Sequence, residues 1–254
     1  MNKNLLLELH NSLKTLQDIY GEDAYIEKDL IAAKSTFINN ENADIGSDET
    51  DQEELLSSGN VPGDWKRSTD LDELDEKIHN CIKCPLGKTR NKFVFGSGNP
   101  DADIMIIGEA PGKDEDKQGL PFVGRAGQLL TKILAAINLS RDDVFIANII
   151  KCRPPNNRRP APDEVEKCEP YLQKQIELIK PKFILSLGLT SINTLLKKKH
   201  KMADTRGHIL KYHGIDLLVT YHPAALLRNP HWKKKTWEDV KLLRKLYDDH
   251  LNNK

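Results

Sequence analysis

The chain has 254 residues, with 38 Lys and Arg balanced by 38 Asp and Glu, so its formal net charge at pH 7 is zero. This length allows one substantial domain with an appendage, or two small domains. The sequence contains no apolar run close to the roughly eighteen residues of a transmembrane helix, and its first residues lack the pattern of a signal peptide. We therefore expect a cytoplasmic protein that does not enter a membrane.

The charge is divided unevenly along the chain. Residues 1–70 contain 6 Lys and Arg against 15 Asp and Glu, whereas the remaining residues contain 32 against 23. A basic body attached to an acidic extension indicates an anionic partner for the body, such as nucleic acid. We place the domain boundary at this change in charge, with residues 1–70 as an extension and residues 71–254 as the folded domain.

The extension is predicted to contain one helix and one linker. Apolar residues from Leu5 to Tyr20 follow the spacing of a helical face, and Gly21 would end the helix. Such a helix would dock on another surface or recruit a protein partner, and the sequence leaves both open. Residues 39–64 are acidic, poor in aromatic residues and without periodicity, so we expect them to be disordered.

The chain has four cysteines, Cys81, Cys84, Cys152 and Cys168. The first two form a C-x2-C pair directly after a short helix that Asp70 can cap. A close pair with two distant cysteines in an intracellular chain indicates a metal site more than disulfides. Four thiolates can hold zinc or an iron–sulfur cluster, and the spacing alone does not decide between these and four unrelated free thiols.

Four apolar segments predict buried strands, and each is followed by a segment that predicts a helix. Strands that alternate with helices indicate a parallel sheet covered by helices on both faces. We therefore predict an α/β fold with four parallel strands in its middle layer. The predicted strands cover residues 104–107, 144–150, 182–188 and 216–221.

Three of the four predicted strands end in polar residues that suit a binding site. The first ends at Gly108 in a loop rich in glycine and acidic side chains, which includes Glu109 and Glu115. The second contains Asn148, a buried amide that is either a structural tie or a ligand reader, and the fourth leads into His222. Ligands of open α/β sheets bind at the carboxyl ends of the strands, so we predict a single site there.

Four motifs stand in this order in the second part of the chain. They are GEAPG at 108–112, LPFVGRAGQLL at 120–130, NIIKCRPP at 148–155 and HPAALLRNP at 222–230. Together with the four cysteines they resemble the family 4 uracil-DNA glycosylases, the iron–sulfur members of their superfamily. The resemblance covers roughly residues 75–250. It implies a three-layer α/β/α fold with a four-stranded parallel sheet, and a [4Fe–4S] cluster bound by the four cysteines.

The resemblance also implies a reaction, the hydrolysis of the glycosidic bond of uracil in DNA after the base has been flipped out, which leaves an abasic site. Phe122 matches the aromatic residue that stacks on the flipped uracil, and Asn148 matches the amide that reads its edge. His222 matches the motif histidine near uracil O2. Glu115 matches a carboxylate that positions the attacking water, with Glu109 as the alternative.

The turn after the first strand would form one wall of the base pocket. Gly108 and Gly112 allow the backbone to approach the base closely, and Ala110 lies between them. Other uracil-DNA glycosylases carry an aspartate at the position of Ala110, and the family 4 pattern lacks that aspartate as well.

Contacts with DNA are expected from the last motif and from a basic loop. Leu226 or Leu227 would wedge into the vacated base stack, and Arg228 would hold a phosphate. Arg158 would meet another phosphate, with a solvated surface charge as the equal alternative. The expected partner is uracil-containing DNA, single- or double-stranded, bound by a monomer.

Three alternative functions stay open from the sequence. A glycosylase with shifted base specificity is disfavoured by the GEAPG loop and Asn148. A non-catalytic iron–sulfur nucleic-acid-binding module is disfavoured because Glu115, Phe122 and His222 are all present. Covalent capture of the abasic sugar would need a histidine-bearing insertion, which the short loop at residues 204–208 lacks.

Overall fold

The computed structural model describes residues 64–253. The helix and the disordered linker expected in the extension lie outside the described residues, apart from Asp64, and the boundary at residue 70 stays a prediction. The described part begins with a 3-10 turn at Trp65–Arg67. The indole of Trp65 is buried and packs edge-on against Tyr171, with 4.7 Å between ring centroids.

Six strands form one sheet. They are β1 Ser97–Gly98, β2 Ile104–Gly108, β3 Val144–Asn148, β4 Phe183–Leu187, β5 Leu210–Tyr212 and β6 Ile215–Thr220. Their order is β1-β3-β2-β4-β6-β5. The four inner strands are parallel, which confirms the predicted parallel sheet. The edge strands β1 and β5 are antiparallel additions of two and three residues, too short for an alternation pattern to predict them.

Nine α-helices flank the strands in the described residues. They are α1 Leu71–Ile78, α2 Leu86–Thr89, α3 Lys113–Gln118, α4 Arg125–Ala135, α5 Pro162–Ile179, α6 Leu189–Leu195, α7 Met202–Thr205, α8 Pro223–Arg228 and α9 Lys233–Asn252. Short 3-10 turns occupy Arg141–Asp143, Pro155–Asn157 and Pro230–Trp232. In the part of the chain that the structure describes, no helix is long and apolar enough to cross a membrane.

Side chains of the strands alternate between two cores on opposite faces of the sheet. Along β2, Met105 and Ile107 belong to one core, which helices α1 and α5 complete. Ile104 and Ile106 belong to the other core, which helices α4 and α9 complete. Every residue of β2 is buried, as expected for a strand covered on both faces. This arrangement confirms the three-layer α/β/α architecture.

Helix α1 begins at the predicted cap. The Asp70 carboxylate accepts a hydrogen bond of 2.8 Å from the backbone N–H three residues later, which satisfies one of the free donors at a helix start. Leu71, Leu74 and Ile78 are buried on its inner face. The helix ends shortly before Cys81 and thereby brings the C-x2-C pair to the core beside α5.

The strand register brings the ends of the parallel strands to one level. Gly108 at the end of β2 lies opposite Asn148 at the end of β3, and Leu187 of β4 lies opposite Thr220 of β6. The loops that follow all four strands therefore start at the same edge of the sheet, where ligands bind in open α/β folds.

Candidate active site

Gly108 and Asn148 form the centre of this edge. Asn148 is only 1% exposed, and its Oδ1 has no hydrogen-bond partner among the described residues. A Cβ built on Gly108 would overlap Asn148 Oδ1 and the ring of Phe122. Only glycine therefore lets the amide and the aromatic ring meet at this point. A buried acceptor without a donor costs free energy, so its presence here indicates a donor that comes from a ligand.

Phe122 reaches this point on an unusual backbone. Its φ of 53° lies in the left-handed region, which is unfavourable for a non-glycine residue. Arg141 holds the strained turn, since its guanidinium donates to the carbonyl of Phe122 at 3.1 Å and to that of Pro121 at 2.7 Å. Gly127 on helix α4 lies so close that a Cβ there would overlap the Phe122 carbonyl group. These contacts fix the ring beside Asn148.

His222 approaches from the end of β6 and caps helix α8. Its Nδ1 accepts a hydrogen bond of 3.2 Å from the backbone N–H of Ala224, so the neutral imidazole carries its proton on Nε2. Burial lowers the pKa of His222 to about 4 because the surrounding protein desolvates the charged form. The ring lies 5.5 Å from that of Phe122 between centroids, at an interplanar angle of 33°. His222 is therefore a neutral donor at physiological pH.

Glu115 ties the loop together. Its Oε1 accepts hydrogen bonds of 2.9 Å from the backbone N–H groups of Val123 and Gly124, and its Oε2 accepts one of 3.1 Å from Gly112. The last bond joins the Glu115 carboxylate to the N-cap residue of helix α3, which is the carboxylate half of a capping box. Both carboxylate oxygens thus hold backbone, and they join the GEAPG turn to the turn that carries Phe122.

Glu109 differs from Glu115 in its surroundings. It is partly exposed in the turn after β2, and its carbonyl accepts a hydrogen bond of 3.3 Å from the backbone N–H of Ile150. Among residues 64–253, its carboxylate makes no hydrogen bond or ion pair. Ala110, the next residue, packs against the core on the α5 side of the sheet. Of the two predicted carboxylates, Glu109 is thus the one whose oxygens are available.

The two leucines of the last motif differ clearly in their exposure. Leu226 is buried at 1% exposure, whereas Leu227 is exposed at 36%. Adjacent residues on helix α8 point to different sides, and Leu226 points into the protein, so the structure favours Leu227 over Leu226 as the predicted wedge. Arg228 is exposed beside Leu227. Leu227 is the leucine that an approaching strand of DNA can meet.

Arg158 has a protein partner that the sequence did not indicate. Its guanidinium forms two hydrogen bonds, of 2.8 and 2.6 Å, with the carboxylate of Glu164 at the start of helix α5. The Glu164 carboxylate is nearly buried, and it also accepts from the Ala161 backbone N–H at 2.7 Å. The pair fixes the basic loop, so the phosphate contact predicted for Arg158 has to compete with this carboxylate.

The four cysteines converge between α1, α5 and the end of β3. Cys81, Cys152 and Cys168 are buried, and Cys84 is partly buried. Donors surround the sulfur atoms: Tyr171 Oη lies 3.3 Å from the Sγ of Cys81, Arg90 Nη1 3.4 Å from that of Cys152, and the Lys151 backbone N–H 3.3 Å from that of Cys168. Each of these three sulfur atoms thus faces one donor, and such a hydrogen bond would stabilise a thiolate that binds a metal centre.

Burial and the neighbouring cysteines shift the pKa values of two of the thiols. Burial raises the pKa of Cys152 to about 11 and that of Cys168 to about 12, and both groups also interact with Cys81. In the described residues no three His, Cys, Asp or Glu side chains lie close enough to hold one metal ion.

Three residues at this edge were not predicted. Lys151 is fully buried, and its ammonium donates to the Asn148 carbonyl at 3.0 Å and to Gln175 Oε1 at 2.5 Å. A lysine that directly follows an apolar strand was the signal for it. Arg141 had no signal, because its partners lie in another loop. Gly188 ends β4 with a φ of 88°, and a Cβ there would lie 3.2 Å from the His222 Cβ.

The fold and the site define an α/β protein that presents an aromatic ring, a buried amide and a neutral imidazole to one ligand. Residues 95–246 match the family model of the uracil DNA glycosylase superfamily, which covers the whole sheet and every one of these groups. The comparison thus places the site in a superfamily named for base removal from DNA.

Similar proteins identify the family within this superfamily. The chain is 47% identical over 181 residues to a Type-4 uracil-DNA glycosylase of Pyrobaculum aerophilum, covering 67% of this chain and 91% of that protein. It is 46% identical over 185 residues to one of Sulfurisphaera tokodaii, covering 69% and 84%. It is 42% identical over 167 residues to one of Thermotoga maritima, covering 65% and 87%. The chain belongs to the Type-4 uracil-DNA glycosylase family.

Proposed function

We propose that this protein is a DNA-repair glycosylase that hydrolyses the bond between uracil and deoxyribose and leaves an abasic site. One observation carries the proposal: the buried Oδ1 of Asn148 has no donor among the described residues, and it lies at the contact between Gly108 and Phe122. Uracil supplies the missing donor through its N3–H. The relatives, which are Type-4 uracil-DNA glycosylases, support the same reaction.

The amide of Asn148 would also distinguish uracil from cytosine. An asparagine side chain accepts at Oδ1 and donates at Nδ2, which matches the N3–H donor and the O4 acceptor of uracil. Cytosine presents an acceptor at N3 and a donor at its amino group, so both pairs would be mismatched. A buried polar group left without its partner rejects the wrong ligand strongly.

A base can reach this buried amide only after it has left the DNA stack. Extrusion of the nucleotide costs a few kcal/mol, and stacking of the base on an aromatic ring returns part of that cost. Phe122 provides this ring, and Arg141 and Gly127 hold the strained backbone beneath it. The base edge then meets Asn148 on one side and His222 on another.

Bond cleavage would proceed by departure of the base. The N1–C1′ bond breaks with both electrons moving to uracil, and the sugar becomes an oxocarbenium-like cation. A neutral His222 donates the hydrogen bond of its Nε2–H to uracil O2, where negative charge develops. Donors placed where charge develops lower the barrier. Water then adds to C1′ and loses a proton, which completes the hydrolysis.

We propose that Glu109 orients the attacking water and that Glu115 holds the loop together. The two oxygens of Glu115 already accept three backbone N–H groups, which leaves about one of the roughly four acceptor sites of a carboxylate for a water. The Glu109 carboxylate has no such partner among residues 64–253. A carboxylate within hydrogen-bond reach of a water orients it and takes its proton.

We infer that Cys81, Cys84, Cys152 and Cys168 hold a [4Fe–4S] cluster. The burial of three of the four cysteines and the donors that face three of the sulfur atoms support one shared thiolate centre, and the resemblance to the family 4 enzymes favours a cluster over zinc. Bound there, the cluster would crosslink the start of the domain to helix α5 and to the end of β3 that carries Asn148. No step of base removal needs it.

DNA would approach the edge that carries Leu227 and Arg228. Both are exposed on or beside helix α8, and the basic balance of residues 71–254 favours a polyanion. A non-catalytic DNA-binding module would explain the charge but not the unpartnered Asn148 amide, so we favour the glycosylase. A monomeric state and a protein partner for residues 1–70 stay predictions.

The test is uracil release from a single-stranded oligonucleotide. We expect release by the wild type and a loss of about 10- to 100-fold in Asn148→Ala, because one to two hydrogen bonds to the base disappear. Asn252→Ala, at an exposed position on helix α9, is the matched control and should retain full activity. Equal activity in wild type and Asn148→Ala would remove Asn148 as the reader. No release by the wild type would overturn the proposed function.

A further inference from the structure

Two aromatic side chains bracket the segment that carries His222 and Leu227. Tyr221 precedes His222, and Trp232 ends the 3-10 turn that follows helix α8. Their rings stack with 4.6 Å between centroids and 18° between planes. The segment between them, residues 222–231, thus leaves the sheet and returns to the same point. We call this pair of rings the aromatic clasp.

The clasp is anchored to the sheet and to helix α9. The guanidinium of Arg206 lies 5.2 Å from the ring centroid of Tyr221. Arg206 forms two hydrogen bonds of 3.0 Å with the carboxylate of Asp239, which is only 2% exposed. The same carboxylate accepts a hydrogen bond of 2.7 Å from the hydroxyl of Thr220, the last residue of β6. A bidentate pair of this kind fixes the guanidinium plane.

Helix α8 depends on such anchors. It has six residues, far below the roughly 12–15 residues at which an isolated helix becomes stable in water. Its inner side is held by buried Leu226, and its end is closed by Asn229, whose amide donates to the Ala225 carbonyl at 3.2 Å. Leu227 lies on its outer side. The clasp thus closes the segment that carries Leu227 at both of its ends.

We propose that the aromatic clasp is a positioning device that holds Leu227 rigid when the protein opens double-stranded DNA. This inference rests on the proposed function. Insertion of an apolar side chain into a duplex costs a few kcal/mol of unstacking per step. A leucine on a loose loop would retreat instead of separating the bases. Single-stranded DNA has little stacking to break, so the clasp should matter for duplex substrate and little for single strands.

The decisive variants change Trp232, which lies at the far end of the segment from His222. Trp232→Leu removes the stack, and Trp232→Phe keeps an aromatic ring. A stacked aromatic pair is worth about 0.5–1.5 kcal/mol, so we expect kcat/KM on duplex uracil to fall up to about tenfold in Trp232→Leu. On a single-stranded oligonucleotide the fall should be less than about threefold, and Trp232→Phe should resemble the wild type on both.

Trp237→Leu is the matched control. Trp237 is 41% exposed on helix α9, and its ring contacts the Lys241 ammonium instead of another ring. The same chemical change there should leave activity on both substrates unaltered. Thermal unfolding of all three variants shows whether each remains folded at the assay temperature.

A second readout does not depend on catalysis. A duplex that carries 2-aminopurine beside a 2′-fluorinated deoxyuridine, whose glycosidic bond resists cleavage, reports base opening as a rise in fluorescence. We expect a rise with the wild type and with Trp232→Phe, and a clearly smaller one with Trp232→Leu at saturating protein. With a single-stranded version of the same probe, the three proteins should behave alike.

The outcomes separate the two proposals. Equal losses on duplex and single strand in Trp232→Leu would overturn the clasp, because the stack would then merely support the site as a whole. Full activity of Trp232→Leu on the duplex would overturn it as well. If the wild type releases no uracil from either substrate, the proposed function fails, whereas the fluorescence probe still tests whether Trp232 is needed to open a duplex.

Discussion

The ring of Phe122 and the imidazole of His222 lie 5.5 Å apart between centroids, at an angle of 33° between planes. The first follows the loop after β2, and the second follows β6, on the other side of β4 in the sheet. Their contact brings the ring that we propose stacks on the base next to the imidazole that we propose binds its edge. Two side chains that are far apart in the sequence are therefore joined in one site by the parallel sheet.

Substitution of Gly108 should disrupt this site directly. A Cβ in Gly108→Ala would overlap Asn148 Oδ1 and the Phe122 ring, so both must move. We expect uracil release to fall by about 10- to 100-fold, the range for loss of one or two hydrogen bonds to a buried group. Kinetics on a single-stranded substrate measure the effect, with circular dichroism as the check on folding. Undiminished activity in the folded variant would show that the Gly108 contact does not position the reader.

Glu115→Gln should reduce stability as well as activity. The amide keeps one acceptor oxygen, and its NH2 group would face a backbone N–H at the other position. Since three backbone donors depend on this carboxylate, we expect the free energy of unfolding to fall by about 1–3 kcal/mol. Urea denaturation measures the change. A fully active, equally stable variant would contradict the role of Glu115 as a loop tie.

Glu109→Gln should reduce activity but leave stability almost unchanged. Its carboxylate makes no hydrogen bond or ion pair within the described range, so the free energy of unfolding should change by less than about 0.5 kcal/mol. Loss of a general base typically lowers kcat by about 100-fold or more. Single-turnover rates at saturating enzyme measure this step. If Glu109→Gln is as fast as the wild type, another group orients the water.

His222 should make stability depend on pH. Its pKa is lowered from 6.5 to about 4 in the folded state because burial disfavours the imidazolium. Between these values the unfolded chain binds more protons, so the free energy of unfolding rises with pH. The contribution is full above pH 6.5 and is lost as the pH falls toward 4, with a size of about 1–3 kcal/mol. Urea denaturation across this range should show the slope in the wild type.

His222→Gln should lack this component of the slope, and the control is His208→Gln, which changes an exposed histidine. Uracil release should show no His222-dependent titration near pH 6.5, because this histidine stays neutral until the pH falls toward about 4. A His222-dependent loss of activity around pH 6.5 would contradict the neutral donor.

The cysteine centre predicts a specific metal content. A [4Fe–4S] cluster requires about four iron atoms per chain and a brown protein. Cys168→Ser should lose most of the iron and lower the unfolding temperature, because Cys168 joins helix α5 to the centre from a fully buried position. Metal analysis of the purified protein is the measurement. About one zinc ion per chain and no iron would overturn the cluster.

Much of the fold followed from local patterns. Apolar runs that end in glycine or polar residues predict the four parallel strands because their signal lies within five or six neighbouring residues. β5 escaped prediction because it is only three residues long, although it forms a hairpin with the next strand, β6. The Asp70 cap was predictable for the same local reason as the strands, since its hydrogen bond closes within three residues.

The sequence predicted which residues form the site better than it predicted the role of each residue. Gly108, Phe122, Asn148 and His222 were identified from motifs, and the structure brings them together. The sequence ranked Glu115 above Glu109 for the attacking water, and the hydrogen bonds of Glu115 to a different turn favour the reverse order. Leu226 and Leu227 could not be ranked, since both are apolar and only the packing of helix α8 decides which is buried. The Arg158 pair with Glu164 likewise forms only when the basic loop folds back on α5.

The sequence by itself determined the order of strands and helices, the family, and the residue types available for chemistry. These features depend only on short-range periodicity and on motifs, which the sequence shows directly. Only the tertiary structure decided which of these residues meet. Three features arise only from this packing: the Asn148 Oδ1 without a hydrogen-bond partner among the described residues, the left-handed Phe122 held by Arg141, and the stack of Tyr221 on Trp232. Each depends on residues that are not neighbours in the sequence. Such contacts exist only after the chain has packed, because side-chain direction and burial are properties of the assembled layers.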